Sequence, residues 1–226
     1  THTSSFINTN GLQFFLGDSF QENYLRVLLY KGGFFKEITA LKMFFNSFIM
    51  ATGVALLSVV TSLMAAYALV YYRTKYATFL FWLIFITILV PLELRIFPTY
   101  SVMAKLNLVN SYFGLIVPIS ASAIATLFFR QFYKTVPDEL LESAKLDGAS
   151  TWRFFIDFLV PLSRTMIVAM LIFMFVFGYN QYLWPLLVTS SEQYWTVVMG
   201  LKMMSGSIVH RFAFVIMSMI PPILII

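Results

Sequence analysis

The residues able to do chemistry in this chain are few, and their types and spacing point to mechanical and binding work rather than bond-making. Glu142, Ala144, Asp147, Gly148, Ala149 and Pro161 belong to one polar run, TVPDELLESAKLDGASTWRFFIDFLVPLS, from Thr135 to Ser163. Thr135 with Asp138 has the spacing of a capping box, Pro137 suits a first helical turn, and Gly148 is placed to end that helix. Ser150 can cap a second helix leading through Trp152 and Phe155 toward Pro161. The expected product is a helix, a glycine turn and another helix lying at a membrane surface. Leu140, Leu141 and Ala144 give the first helix an apolar face, and Glu142 offers a charge to a basic partner.

A second set carries polarity inside apolar sequence. Asn180 and Gln181 interrupt FGYNQYLWPLL, where buried amides need partners. Pro185 lacks a donor and crowds the carbonyl of Gln181, so a bend is expected there with backbone polar groups left available. Asn180 and Trp184 are four apart and share a face, so they can present an amide and an aromatic ring to one solute. The alternative is a kink whose amides bond neighbouring helices. In PLELRIFPT, Glu93 and Arg95 follow an apolar run, and Pro91 and Pro98 argue against a continuous helix. A charged pair in an irregular segment at a membrane boundary can select an anionic solute, or serve as a structural ion pair or interfacial anchor.

The elements that must position these groups follow from composition. With 60% hydrophobic and 11% charged residues, the 226-residue chain has more apolar surface than a soluble core of its size can bury. A helix needs about 20 apolar residues to cross a bilayer. Five charge-free stretches qualify or nearly qualify: 44–72, 76–92, a third within 106–129, 165–191 and 212–226. The fold class expected is all-α, a polytopic membrane helix bundle. Cysteine is absent and histidine occurs only at His2 and His210, so disulfides, thiolate chemistry and a clustered metal site are not expected. No G-x-x-x-x-G-K-[S/T] loop occurs, so ATP hydrolysis by this chain is not expected. Basic residues divide almost evenly between the two sides of such a bundle, and charge alone does not orient it. The chain begins at Thr1, without a signal-peptide pattern, and a short amphipathic helix is expected over 20–30.

The run E-S-A-K-L-D-G followed by F-L-V-P resembles the "EAA" loop of ABC importer permeases, with Glu142, Ala144, Gly148 and Pro161 in register and Ser143, Phe158 and Val160 departing from it. N-S-F-I-M-A at Asn46, P-L-E-L-R-I-F-P-T at Pro91, N-Q-Y-L-W-P-L-L at Asn180 and I-P-P at Ile220 extend the likeness to the carbohydrate-uptake permeases of the maltose-permease-G type. Within them it is nearest the permeases of sn-glycerol-3-phosphate importers. The resemblance implies a type I importer permease at the bacterial inner membrane. Residues 1–43 would be periplasmic, 44–226 would form the permease domain, and the loop 134–163 would be cytoplasmic and docked on an ATP-binding subunit. It also implies an earlier span and a longer last one. The implied partners are a second permease, a pair of ATP-binding subunits and a periplasmic solute-binding protein, with ATP and Mg²⁺ held by the partner ATPase. A permease for a maltose-like sugar or other oligosaccharide is the alternative within the family. An ion-coupled secondary transporter is the rival outside it, disfavoured because the spans lack ionisable groups.

Overall fold

Apolar runs without charge become helices because a backbone away from water must bond to itself. In the computed structural model, which describes residues 24–29, 38–72, 75–203 and 208–225, every regular element among the described residues is helical. In chain order these are α1 (Arg26–Leu29), α2 (Ala40–Tyr71), α3 (Ala77–Leu89), α4 (Leu92–Lys105), α5 (Tyr112–Ile116), α6 (Ala123–Tyr133), α7 (Asp138–Leu146), α8 (Thr151–Phe154), α9 (Val160–Leu162), α10 (Arg164–Tyr179), α11 (Leu183–Val188), α12 (Val197–Met203) and α13 (Ile208–Ile225). Most of the expected amino-terminal segment lies outside the described residues. Of the amphipathic helix expected over 20–30, residues 24–29 are described and helical, with Val27 buried.

Among the described residues, only α2 is long and apolar enough to cross a membrane unaided; up to four crossings result if each bent pair of helices counts as one. The expected uninterrupted spans are thus corrected. The span expected within 106–129 is α5, a short 3-10 turn at Val117–Ile119 and α6, bent by 48°. The one expected over 165–191 stops at Tyr179. The segment from Pro91 to Thr99, expected to be irregular, is helical: the break falls at Val90–Pro91, and Pro98 sits inside α4. Pro91 stands just ahead of the first turn, where a missing N–H is harmless, and Pro98 removes one bond only.

The chain divides into two compact units. The first comprises 1–52, 102–115 and 176–226, and its core gathers Val27, Ile38, Ala40, Met43, Val197, Phe214 and Met217. Asn46, fully buried, ties it together: its amide donates to the carbonyls of Gln193 at 2.8 Å and Trp195 at 2.9 Å, and its oxygen accepts from the Tyr112 hydroxyl at 2.7 Å. In α13, Pro222 has no N–H for the Ser218 carbonyl four residues back, and the Tyr179 hydroxyl donates to that oxygen at 3.0 Å.

The second unit comprises 53–101 and 116–175. Here α3 buries no residue of its own and packs along α6, where the Arg130 guanidinium lies 3.7 Å over the Phe81 ring. The bend before α6 leaves the Ser120 carbonyl without a helical donor. Two serines one turn apart on α2 fasten this segment: Ser58 Oγ donates to Ser120 O at 2.6 Å, and Ser62 Oγ donates at 3.2 Å to Ser122 O, which also accepts the first helical bond of α6 from Thr126 N.

Hydrogen bonds of this kind contribute roughly 0.6 to 1.7 kcal/mol each inside membrane proteins. Ser58→Ala with Ser62→Ala should therefore lower the thermal unfolding midpoint of the purified protein by a few degrees, while Thr61→Ala, whose hydroxyl bonds only its own helix, should leave it unchanged.

Candidate coupling hairpin and solute path

The polar hairpin forms as helix, turn and helix, with a different start from the one the sequence suggests. Thr135 does not cap α7; its hydroxyl donates to Phe132 O at 2.7 Å, closing the turn that ends α6. Pro137 occupies the N-cap position with an extended backbone, and Asp138 and Glu139 fill the first turn. The reason is steric: the residue before a proline is pushed out of helical conformation, so Val136 cannot begin a helix that Thr135 would cap.

The end of α7 is as expected, and the bonding pattern explains why. Gly148 has φ +79°. Its N–H donates to Lys145 O at 3.0 Å and that of Ala149 to Ala144 O at 2.9 Å, the paired bonds of a Schellman turn. A Cβ on Gly148 would meet nothing within 4 Å, so glycine is required there by backbone conformation and not by space. Ser150 caps the second helix, its Oγ accepting from Arg153 N at 3.2 Å. That helix runs through α8, a wide π turn at Phe155–Leu159 and α9, then meets α10 at a 75° bend beyond Ser163.

Exposure sorts the motif residues. Ala144 is buried and Ala149 half-buried, whereas Glu142, Asp147, Gly148 and Pro161 face outward. Of the apolar face expected on α7, Leu141 and Ala144 turn inward, Leu140 is partly exposed, and Leu146 at the tip is 89% exposed. The hairpin thus presents a large apolar side chain with Glu142, Lys145 and Asp147 exposed around it.

The solute-path residues are not arranged as a continuous helix would arrange them. After α10 ends at Tyr179, residues 180–182 leave helical structure, and Pro185 falls in the first turn of α11, where its lack of an N–H is harmless. The bend therefore lies at Asn180–Tyr182 and not at Pro185. Asn180 is exposed, Gln181 is half-buried with its amide donating to Phe177 O at 3.3 Å, and Trp184 is buried. Asn180 and Trp184 consequently do not share a face. The Trp184 indole N–H donates to Gly114 O at 3.1 Å, the carbonyl left without a helical donor by Pro118. Gly114 is fixed by close approach, since a Cβ there would lie 2.1 Å from Leu108 O. Trp184 is a packing residue in this arrangement.

Glu93 and Arg95 are both exposed on α4, and positions two apart on a helix do not face each other. The structure brings them to one helix without pairing them across one face. Asn46, Asn110, Ser58 and Ser62 were not anticipated as fastening residues. Asn110, with φ 57°, accepts at its side-chain oxygen from the N–H groups of Ser190 and Ser191. A lone Asn at the start of an apolar run was the available signal for Asn46.

Because only backbone conformation demands glycine at 148, Gly148→Ala introduces left-handed strain of about 1–2 kcal/mol, which asparagine tolerates better. Gly148→Ala should reduce uptake by the assembled transporter more than Gly148→Asn, at equal membrane levels of the two proteins.

The chain matches the family described as "Binding-protein-dependent transport system inner membrane component" over residues 58–226. It is 46% identical over 190 residues to the sn-glycerol-3-phosphate transport system permease protein UgpE of Yersinia enterocolitica, spanning 81% of this chain and 68% of that protein. With UgpE of Agrobacterium fabrum it shares 40% identity over 218 residues, 93% of this chain and 77% of that one. Its fold is similar to that in the crystal structure of a bacterial ABC transporter involved in the import of the acidic polysaccharide alginate, with a TM-score of 0.81 at 19% identity over 96% of this chain and 81% of that one. The helical architecture agrees with that likeness, and the family match runs from Ser58 to the last residue; the chain belongs to the inner-membrane components of binding-protein-dependent transport systems, as a multi-pass, non-catalytic permease subunit of a bacterial ABC importer.

Proposed function

We propose that this permease carries sn-glycerol-3-phosphate, working with a second permease, a pair of ATP-binding subunits and a periplasmic binding protein, and that the hairpin 138–162 is its cytoplasmic docking element. The observation that carries the solute is the identity to UgpE proteins along most of their length. The docking role is supported by the exposed tip, Leu146 flanked by Glu142 and Asp147, on a helix whose end is fixed by the Schellman turn.

Each part of the chain then has a task. Apolar Leu146 supplies contact area, Glu142 pairs with a basic group of the ATP-binding subunit, and buried Ala144 lets α7 lie close to its own protein. ATP and Mg²⁺ reside on that partner. The break at Asn180–Tyr182 interrupts a membrane helix and offers an exposed amide, as solute-lining segments of transporters do. Arg95 is the cationic candidate for a phosphate-bearing solute.

Uptake by a bacterial strain lacking its own glycerol-3-phosphate importer, supplied with this chain and its cognate partners, tests the reading. Labelled sn-glycerol-3-phosphate should accumulate in a manner dependent on the binding protein; uptake of maltose in its place, or of neither, contradicts the assignment. In the same assay, Glu142→Arg should lower uptake by roughly tenfold or more, since a reversed charge meets its partner with repulsion. Asn180→Leu should lower uptake while the ATP-binding subunits still co-purify with the permease. Normal uptake with the leucine in place would return Asn180 to a packing role.

A further inference from the structure

We infer that the hairpin hands its motion to α2, through a joint built on Tyr67 and Tyr71, and not to α10, the membrane helix that follows it in the chain. The inference rests on the docking role proposed for the hairpin and names the element that receives the push.

The joint lies within the second unit. Tyr67 and Tyr71 stand one turn apart on α2, on one face, with ring centroids 5.3 Å apart. The Tyr67 hydroxyl donates to the carbonyl of Thr151, the first residue of α8, at 2.6 Å, and its ring lies 4.8 Å from that of Phe155. The Tyr71 ring meets Phe154 at 5.5 Å and Tyr133 at 6.0 Å, and its hydroxyl points to Tyr133 O at 3.5 Å. Tyr133 is the last residue of α6, before the hairpin; Thr151, Phe154 and Phe155 open its second helix. One turn of α2 therefore holds both feet of the hairpin. Tyr67 and Phe154 are buried, so these contacts are made out of water, where a hydrogen bond is harder to exchange for solvent.

The route toward α10 is built differently. Between the joint and α10 the backbone passes through the π turn at Phe155–Leu159, a geometry less favourable than α-helix. Pro161 then withholds an N–H, and the chain bends by 75° where Arg164 begins α10. A push on α7 meets stiff aromatic packing toward α2 and a widened, bent backbone toward α10. The stiffer path carries the displacement. Tyr67 is a positioning residue in this scheme: it touches neither solute nor nucleotide and acts by keeping the hairpin and α2 in step.

The chain contains no cysteine, so introduced cysteines are the only ones it carries to label. In the complete transporter reconstituted in lipid, spin labels at Ala68→Cys on α2 and Ile156→Cys on the hairpin should keep one distance with and without ATP. Labels at Ile156→Cys and Ala169→Cys on α10 should change theirs. Tyr67→Phe keeps the ring and removes the hydroxyl; it should make the 68–156 distance nucleotide-dependent and lower solute transported per ATP hydrolysed by roughly three- to tenfold, the effect of one lost buried bond. Fewer folded complexes with unchanged solute per ATP would mark a merely structural residue and overturn the proposal. A 68–156 distance that changes in the unsubstituted joint overturns it as well. Cross-linking of Leu146→Cys to the ATP-binding subunit separates the two failures: with the cross-link formed, the joint alone is wrong; without it, the docking role falls and the joint with it.

Discussion

A backbone carbonyl released inside a hydrocarbon layer has no water to turn to, and the bends of this protein depend on a side chain arriving to satisfy it. Pro222 frees Ser218 O, which takes the Tyr179 hydroxyl; the stretch ending at Pro118 frees Gly114 O, which takes the Trp184 indole N–H; the break before α6 frees Ser120 O, which takes the Ser58 hydroxyl. Asn46 does the same for two carbonyls in the turn after Ser191. Each donor comes from a residue distant in sequence. Kinks here are consequently fixed points of the packing, with local geometry and long-range contact solving one problem together.

That constraint shapes both candidate regions. The interrupted helix at Asn180–Tyr182 holds its position because Trp184, just beyond the break, is anchored to Gly114, leaving Asn180 exposed. At the hairpin, α7 satisfies its own last carbonyls through the Schellman turn, and the tip needs no support from neighbours. It stands out as a preformed unit, with the acidic groups and Leu146 exposed and Ala144 turned inward. In the docking role proposed for it, a surface ready-made in this way loses little conformational freedom, which favours tight and oriented contact.

The parts of this architecture that are local were legible in the sequence. Charge-free stretches marked the helices, Gly148 marked the end of α7, and Ser150 marked the start of α8, because each rests on residues within a turn of one another. Sequence spacing misleads where proline acts on its surroundings. Thr135 fits a capping box by spacing, yet Pro137 forces Val136 out of helix; Pro185 reads as the bend, yet it sits harmlessly in a first turn and the chain opens earlier. Asn180 and Trp184 share a face only on a helix that continues, and this one does not. The donors that meet the freed carbonyls were invisible for a further reason: Ser58, Asn46 and Tyr179 look ordinary in apolar sequence until the fold shows which oxygen lies opposite.

In the proposed coupling, everything depends on where the tip of α7 goes. A cryo-EM structure of the assembled transporter in lipid measures this directly. Leu146 and Glu142, both exposed in the free chain, are expected to be seated in an ATP-binding subunit on the cytoplasmic side. A hairpin facing the periplasm, or one making no contact with an ATP-binding subunit, contradicts that coupling.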